Sequence, residues 1–287
     1  MSDTFEIHAG FRLRTVSATR YVTPLREGGS LPALMEADDE GLYVVKLRGA
    51  AQGAKTLIAE LVAGEIGRLL GLHVPELVVV DLPHALTLGE PDPEIKGPLD
   101  KSIGLNLGLD FLPGALPIDL AMRDPIDPVL AADIVWFDAL IANVDRTTRN
   151  PNLLRWHGEL WLIDHGAAIY PHHRWTNPAE QGRRGFPEVK DHVLLPKAGS
   201  LIDADRRLAN VITDSDLWAV IGNIPDAWLE EVGEMGGRDA QREAYLTYFL
   251  KRLEAPRPFI AEAERCRTAV WVGAIDPGRA TRGRRVE

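Results

Sequence analysis

The sequence lacks the features of a disulfide-stabilised or membrane-spanning protein. Cys266 is its only cysteine, so an internal disulfide and a cysteine-based zinc site are both excluded. No apolar run approaches the roughly 18 to 20 residues that a membrane-spanning helix needs. We therefore expect a reducing compartment and no membrane span, and we predict that the protein is cytoplasmic.

The sequence also lacks an excess of positive charge. Its 32 basic residues are outnumbered by 42 acidic ones, which gives a formal net charge of −10 at pH 7. Nucleic acids and anionic lipids are bound by surfaces rich in Lys and Arg, so we expect no direct contact with nucleic acid. The 45% of hydrophobic and 26% of charged residues are those of an ordinary globular chain. A length of 287 residues predicts one large domain or two closely coupled lobes, and it leaves the oligomeric state open.

The first part of the sequence is predicted to be rich in β-structure. Short runs of β-branched, aromatic and apolar residues indicate five strands, at 15–22, 31–37, 42–47, 77–80 and 107–112. Between the third and fourth runs, apolar residues recur at helical spacing over 56–70, which predicts a helix with one buried stripe. Gly71 is suited to end that helix. The Pro- and Gly-containing segment 89–102 is interpreted as a surface connection.

The second part is predicted to be mainly helical. A long apolar helix at 128–142 is followed by a polar loop at 143–152 and by two short strands, whereas 171–198 is interpreted as a long loop. Further helices are predicted at 214–220, 225–231, 238–253 and 260–272. We therefore predict an α+β, two-lobed fold, with a β-rich N-terminal lobe over 1–112, a helical C-terminal lobe over 113–275 and a flexible basic tail over 276–287.

Two polar segments each follow an apolar element and carry groups suited to phosphoryl transfer. This reaction needs a carboxylate that orients the attacking hydroxyl, and hard oxygen ligands that hold Mg²⁺ on the phosphates of ATP. Asp145 and Asn150 lie in the loop after the apolar helix, and Asp164 ends the strand that follows. A tight hairpin between them would return Asp164 to the loop. The pattern predicts Asp145 as the base and Asn150 with Asp164 as metal ligands.

A third feature supplies a cation. Lys46 follows the apolar pair Val44 and Val45 on a predicted strand, and Glu60 lies at the edge of the apolar stripe on the next helix. Glu60 can therefore point inward, although Glu65 is a competing candidate. We predict an ion pair between Lys46 and Glu60 that presents the lysine to the α- and β-phosphates.

These motifs resemble those of a known family. D-x-x-x-x-N followed by a hydrophobic-Asp-x-Gly element is typical of protein-kinase-like folds, and N-x-D-R-x-x-x-N at 143–150 with LIDHG at 162–166 is most similar to HipA-like kinases and the related phosphoinositide-kinase group. The segment GLHVP at 71–75 is also similar. The resemblance covers roughly residues 15–170. It implies ATP and Mg²⁺ as cofactors and Ser or Thr of a protein as acceptor, with the roles given above: Asp145 as base, Asn150 and Asp164 as metal ligands, and Lys46 paired with Glu60.

The sequence departs from the kinase pattern at the phosphate-covering loop, because no Gly-x-Gly-x-x-Gly motif is present. The candidates for that loop are Gly28, Gly29 and Ser30, or the glycine-containing segment at 49–53. Asp110, Phe111 and Leu112 occupy the position of a linker between lobes, where adenine would bind, although an ordinary strand end fits equally well. Asn152 is interpreted as a loop residue that bonds its own backbone.

Two other functions stay open. The acceptor could be a lipid head group, an inositol phosphate or another small molecule, for which the available basic side chains are Arg174, Arg183, Arg184 and Lys190. The chain could instead be a nucleotide-binding pseudokinase that acts as a scaffold, although such a protein need not keep every catalytic group. His165, His172 and His173 have no defined ligand spacing and do not indicate a zinc site.

Overall fold

The computed structural model describes residues 13–25, 32–50, 53–118, 126–230 and 236–275. Gly28, Gly29 and Ser30 and the predicted tail at 276–287 lie outside these ranges, and so does part of the second glycine-containing candidate, at 51 and 52. The predicted domain boundaries stay predictions.

The N-terminal part contains five strands that form one closed sheet. They are β1 (Arg14–Pro24), β2 (Ala33–Ala37), β3 (Leu42–Lys46), β4 (Leu77–Leu82) and β5 (Gly104–Asp110). Their order is β1-β2-β3-β5-β4, and a parallel pairing of β4 with β1 closes the sheet. Gly108 on β5 permits this close packing, because a Cβ atom there would lie 2.6 Å from Val80 on β4. All five predicted strands are confirmed, with small shifts at their ends.

Three helices accompany this sheet: α1 (Ala54–Leu69), α2 (His84–Thr87) and α3 (Pro93–Asp100). Gly71, with a φ of 77°, follows α1 in the left-handed conformation that was expected of it. The surface connection expected at 89–102 contains a helix that was not predicted, α3. Asp92 caps its first turn, Pro93 occupies a position where proline is tolerated, and Leu99 is buried.

A second, smaller sheet follows. It contains β6 (Leu116–Pro117), β7 (Leu153–Trp156) and β8 (Glu159–Leu162), in the order β6-β7-β8. The strands β7 and β8 form the predicted hairpin. Because β6 comes soon after β5 along the chain, residues 111–115 connect the first sheet directly to the second. The long apolar helix α4 (Pro128–Leu140) runs up to the polar loop that precedes β7.

The remainder is mainly helical, with α5 (Pro178–Gly182), α6 (Leu201–Leu208), α7 (Asp214–Gly222), α8 (Arg238–Leu253) and α9 (Pro258–Ile275). The segment 171–198 is not one long loop, because it contains α5 and short 3-10 turns. Helix α6 was missed since its sequence is mostly polar and only three of its residues are buried. The helix expected at 225–231 is a 3-10 turn at Asp226–Trp228.

Buried residues form two hydrophobic clusters. The smaller one fills the closed sheet and includes Met35, Tyr43 and Val45. The larger one joins α1 and α4 to the second sheet and to the C-terminal helices. In the described part of the chain no helix is long and apolar enough to cross a membrane. The mixed α+β composition is as predicted.

Candidate active site

Lys46, Glu60 and Asp164 meet at one point, although they come from three separate elements. Lys46 is the last residue of β3, Glu60 lies in the middle of α1, and Asp164 follows β8. The Lys46 Nζ atom donates to Glu60 Oε2 and to Asp164 Oδ1, each at 2.5 Å. Lys46 is 6% exposed and Glu60 0%, whereas the Asp164 side chain is 40% exposed. The predicted contact between Lys46 and Glu60 is therefore present, and Asp164 joins it from the solvent side.

Opposite charges keep this group ionised despite its burial. Burial alone would raise the pKa of Glu60, but the Lys46 ammonium and a contact with His165 outweigh it and hold that pKa well below its usual value. Burial would likewise lower the pKa of Lys46, yet the carboxylates of Glu60 and Asp164 raise it. Lys46 is therefore a fixed cation at neutral pH.

Two residues after Asp164 anchor its loop against α1. His165 is fully buried, with Nδ1 3.4 Å from Glu60 Oε1 and its ring edge-on to Phe137 of α4. Gly166 packs so closely on α1 that an added Cβ atom would lie 2.6 Å from Thr56 Cγ2. Asp164 itself has a φ of 56°, the left-handed conformation that turns the chain sharply after β8. The D-H-G sequence thus sets the direction of the Asp164 carboxylate.

Asp145 lies in the loop after α4 and is held by neighbours in the same loop. Asn150 Nδ2 donates to Asp145 Oδ2 at 2.9 Å, and the Asp145 backbone N–H donates to Asn143 Oδ1 at 3.1 Å. Thr147 N–H also donates to the Asn150 carbonyl oxygen at 3.0 Å, which closes the loop. The structure therefore brings Asp145 and Asn150 into direct contact.

Asn152 has a larger part in this site than the sequence indicated. Its Nδ2 atom donates to the Asp164 carbonyl oxygen at 3.5 Å, and its side chain lies close enough to Asp145 to lower the pKa of that carboxyl. The sequence favoured a bond to its own backbone, whereas the hydrogen bond of its side chain in the structure goes to Asp164. Asn152 thus lies between the Asp145 loop and the Asp164 turn.

The negative charge of the two aspartates favours a divalent cation beside them. Burial raises the pKa of Asp145 and the nearby charge of Asp164 raises it further, while hydrogen bonds from Asn150 and Asn152 partly offset both effects. A cation would relieve this repulsion, and carboxylate and amide oxygens are the ligands that Mg²⁺ prefers. Within the described ranges no group of three or more His, Cys, Asp or Glu residues could hold a metal by itself. A metal here would need Asn150 and oxygens from another molecule.

Asp110, Phe111 and Leu112 lie at the other end of the β3–β5 pair. The register sets Asp110 opposite Tyr43, whereas Lys46 is opposite Leu107. The Phe111 backbone N–H donates to the Leu42 carbonyl oxygen at 2.9 Å, and Leu112 is buried. These residues begin the connection between the two sheets and do not belong to the group around Asp164. Gly28, Gly29 and Ser30 lie outside the described residues.

A buried polar network behind the Asp145 loop was not found from the sequence. It consists of Asp138 on α4, Asn143 and Arg146 in the loop, and His192, and all four are buried. The signal was Asp138, an aspartate flanked on both sides by apolar residues in the second half of α4. A carboxylate in such a stretch needs buried partners, so it can indicate a network of this kind.

The family model of HipA-like kinases matches residues 19–257, most of the chain and every residue of the site just described. This chain belongs to the HipA-like kinase family. The resemblance inferred from the motifs is therefore confirmed, and the match continues well past the last motif into the C-terminal helices.

Among solved structures, this HipA-like kinase is similar to the Helicobacter pylori proinflammatory kinase CtkA. The superposition has a TM-score of 0.54 at 15% sequence identity, and it covers 89% of this chain and 99% of the other. An identity this low shows a shared fold and nothing finer. A search of curated proteins found no significant match.

Proposed function

We propose that this HipA-like kinase transfers the γ-phosphoryl group of ATP to a Ser or Thr hydroxyl of a protein. The observation that carries the proposal is the convergence of Lys46, Glu60 and Asp164, with Asp145 and Asn150 beside them. Each of these residues supplies a part that phosphoryl transfer needs. In this proposal the closed sheet with α1 forms one lobe, the helical remainder forms the other, and the nucleotide binds between them.

Lys46 is proposed to neutralise the α- and β-phosphates. Its ammonium is held in place by an ion pair with Glu60, whose side chain is fully buried on α1. Its second contact, with the half-exposed Asp164, is on the side open to solvent. A phosphate oxygen approaching from that side can replace Asp164 on Nζ without breaking the buried pair, and Asp164 is then available to bind metal.

Asp145 is proposed to orient the acceptor hydroxyl and to accept its proton. A raised pKa makes its carboxylate a better base than an ordinary aspartate, and the amides of Asn150 and Asn152 fix its direction. Mg²⁺ held by Asn150 and Asp164 would supply the charge that stabilises the transferring phosphoryl group. The donor set therefore fits the cofactors that the family implies.

The remaining nucleotide contacts are also proposals. Adenine is proposed to bind along Asp110, Phe111 and Leu112, where the chain passes from the first sheet to the second. Gly28, Gly29 and Ser30, between β1 and β2, are proposed to cover the phosphates. These assignments rest on the order of the elements along the chain.

A protein acceptor is favoured over a phosphoinositide, because a basic side chain that could bind a lipid head group is already paired with a carboxylate. Arg183, one of the candidates for a basic platform, forms an ion pair with Glu254 at 2.9 Å. This ion pair lowers the positive charge that the segment 174–190 could offer to a phosphate group. The chain as a whole is also acidic, with a net charge of −10. With that charge and no candidate membrane span in the described part, we propose a cytoplasmic location.

Asp145→Asn and Asp164→Asn test the proposal. Asp145→Asn is expected to bind Mg·ATP normally but to lose transfer by about 10²- to 10⁴-fold, because only the base is removed. Asp164→Asn is expected to lose transfer and also the Mg²⁺-dependent part of nucleotide binding. Calorimetry measures the binding and a radiolabelled transfer assay measures the turnover.

Asp133→Asn is the matched control, since Asp133 lies on the outer side of α4 and pairs with Arg207. It should leave binding and transfer unchanged. Full transfer by Asp145→Asn would contradict the assignment. A wild-type protein that binds Mg·ATP and transfers nothing would instead support the pseudokinase scaffold.

A further inference from the structure

Helix α4 is apolar and buried around Asp138, yet this residue places a carboxyl group there that is 0% exposed. Its Oδ2 atom accepts from Arg146 Nε at 2.5 Å and from His192 Nε2 at 2.9 Å, and its Oδ1 atom accepts from Asn143 Nδ2 at 2.8 Å. Burial alone would raise the pKa of Asp138, but Arg146 and His192 hold it well below its usual value. The buried Asp138 carboxylate thus accepts hydrogen bonds from two separate segments of the chain, the Asp145 loop and the segment around His192.

Arg146 links Asp138 to both parts of the candidate active site, the Asp145 loop and the Asp164 turn. While Nε donates to Asp138, Nη1 donates to the Asn152 carbonyl oxygen at 2.5 Å and lies 3.4 Å from the Ile163 carbonyl oxygen. Ile163 immediately precedes Asp164, and Asn152 contacts both Asp145 and Asp164. A guanidinium is planar and rigid, so its bonds fix relative positions better than a flexible ammonium does.

Asn143 links Asp138 to Asp145 through its side-chain amide. Its Nδ2 atom donates to Asp138, and its Oδ1 atom accepts the backbone N–H of Asp145. The Asn143 side chain therefore links the buried carboxylate to the residue that is proposed to be the base.

His192 attaches a third segment to the same carboxylate. The Leu194 backbone N–H donates to His192 Nδ1 at 3.0 Å, so Nδ1 carries no proton and the proton on Nε2 points at Asp138. The Val193 backbone N–H also donates to the Arg146 carbonyl oxygen at 3.0 Å. The segment around 187–195 is thereby bound to the Asp145 loop through side chain and backbone together.

We infer that Asp138 and Arg146 are positioning residues, which set the distance between the Asp145 loop and the Asp164 turn and so assemble the metal site. Neither residue is proposed to touch nucleotide or acceptor. The hairpin of β7 and β8 already pairs Asn152 with Ile163, because the Ile163 backbone N–H donates to the Asn152 carbonyl oxygen at 3.1 Å. The Arg146 fork holds this pair against Asp138 on α4 and so sets its position relative to Asp145. This inference rests on the proposed function, because it assumes that Asn150 and Asp164 hold a metal.

Arg146→Lys is the variant that tests it. The lysine keeps the charge beside Asp138 but has one nitrogen, which cannot reach Asp138, Asn152 and Ile163 together. We expect Mg²⁺-dependent binding of a non-hydrolysable ATP analogue to weaken about 10- to 100-fold, as is typical when residues behind metal ligands are changed. Binding of the analogue without Mg²⁺, which depends on Lys46, should be unchanged. Both are measured by calorimetry.

Arg257→Lys is the matched control. Arg257 donates through Nε and Nη2 to Asp205, which also accepts from Trp136 Nε1, so the arrangement is the same in kind but does not touch the Asp145 loop. It is somewhat more exposed, with 17% for the Arg257 side chain and 19% for Asp205. We expect a lower unfolding midpoint and unchanged Mg²⁺-dependent binding.

The outcomes separate this inference from the kinase proposal. Equal Mg²⁺-dependent binding in Arg146→Lys and the wild type would overturn the positioning role, even if the wild type is an active kinase. Weakened binding in Arg146→Lys would support it, even if no transfer is detected. A wild type whose analogue binding does not respond to Mg²⁺ would overturn it as well.

If Arg146→Lys does not fold, Asn143→Ala replaces it. This change keeps the ion pair of Asp138 with Arg146 and removes both hydrogen bonds of the Asn143 side chain, to Asp138 Oδ1 and from the Asp145 backbone N–H. We expect Mg²⁺-dependent binding of the ATP analogue to weaken about 10-fold or more, with circular dichroism confirming the fold. Unchanged Mg²⁺-dependent binding by a folded Asn143→Ala would overturn the inference.

Discussion

Lys46→Met is expected to destabilise the protein more than the double substitution Lys46→Met with Glu60→Gln. The single change removes the lysine that pairs with the Glu60 carboxylate, which is 0% exposed. Removing one member of a buried ion pair costs about 3–5 kcal/mol. The double variant leaves no charge at Glu60, and Asp164, whose side chain is 40% exposed, stays hydrated. We therefore expect a coupling free energy of about 1–3 kcal/mol between the two positions.

Equilibrium unfolding in urea, followed by tryptophan fluorescence, measures these free energies, since the chain contains seven tryptophans. The pH dependence gives a second readout. The pKa of Glu60 is held below its ordinary value of 4.5 in the folded state, so its contribution to stability is present above that value and is lost as the pH falls through the folded pKa. The stability difference between the wild type and Glu60→Gln should therefore shrink as the solution is acidified below about pH 4.5.

Additive effects of the two single substitutions would refute this reasoning, because a coupling below about 0.5 kcal/mol is what unconnected sites show. The ion pair of Arg20 with Glu36 is the control, since it joins β1 to β2 on the solvent-exposed face. The corresponding cycle of Arg20→Met and Glu36→Gln should show no measurable coupling.

Two further predictions concern single positions on α1 and beside it. Burial raises the pKa of Glu65 to about 7 in the folded state. Below pH 4.5 this side chain is neutral in both states and costs no stability, whereas the free energy of unfolding falls as the pH rises from 4.5 through 7. Glu65→Gln should therefore be nearly neutral at pH 5 and stabilising by about 1–3 kcal/mol at pH 8 in urea unfolding, and equal effects at both pH values would contradict this. Gly166→Ala should cost about 1–3 kcal/mol and reduce transfer, because the new methyl group overlaps Thr56. Gly222→Ala at the end of α7 has open space and should stabilise by about 0.5–1 kcal/mol, and a greater loss there than at Gly166 would contradict the packing argument.

The parts of the fold that were predictable are those with a strong local pattern. The strands were visible as short apolar runs, and α1 and α4 as apolar residues at helical spacing. Helix α3 was missed because Pro93 and Pro98 were interpreted as loop residues, whereas Pro93 occupies the first turn of the helix. Helix α6 was missed because its polar sequence offers almost no stripe to detect, and its position is set by tertiary contacts.

The site was predictable only where a chemical function selects the residue type. Lys46, Glu60 and Asp164 were chosen for what phosphate and metal binding need, and the structure brings them into contact. Asn152 and His192 could not be placed, because their partners are distant in sequence and come together only through backbone turns and packing. The network around Asp138 depends on such contacts throughout.

The claim that this chain is a protein kinase is tested most directly by mass spectrometry after incubation with Mg·ATP. Purified wild type and Asp145→Asn are each incubated alone and with a lysate, and phosphorylated peptides are then identified. We predict phosphoserine or phosphothreonine on protein peptides with the wild type, and none above background with Asp145→Asn. Equal phosphopeptide yields from the two proteins, or none from the wild type, would contradict the claim.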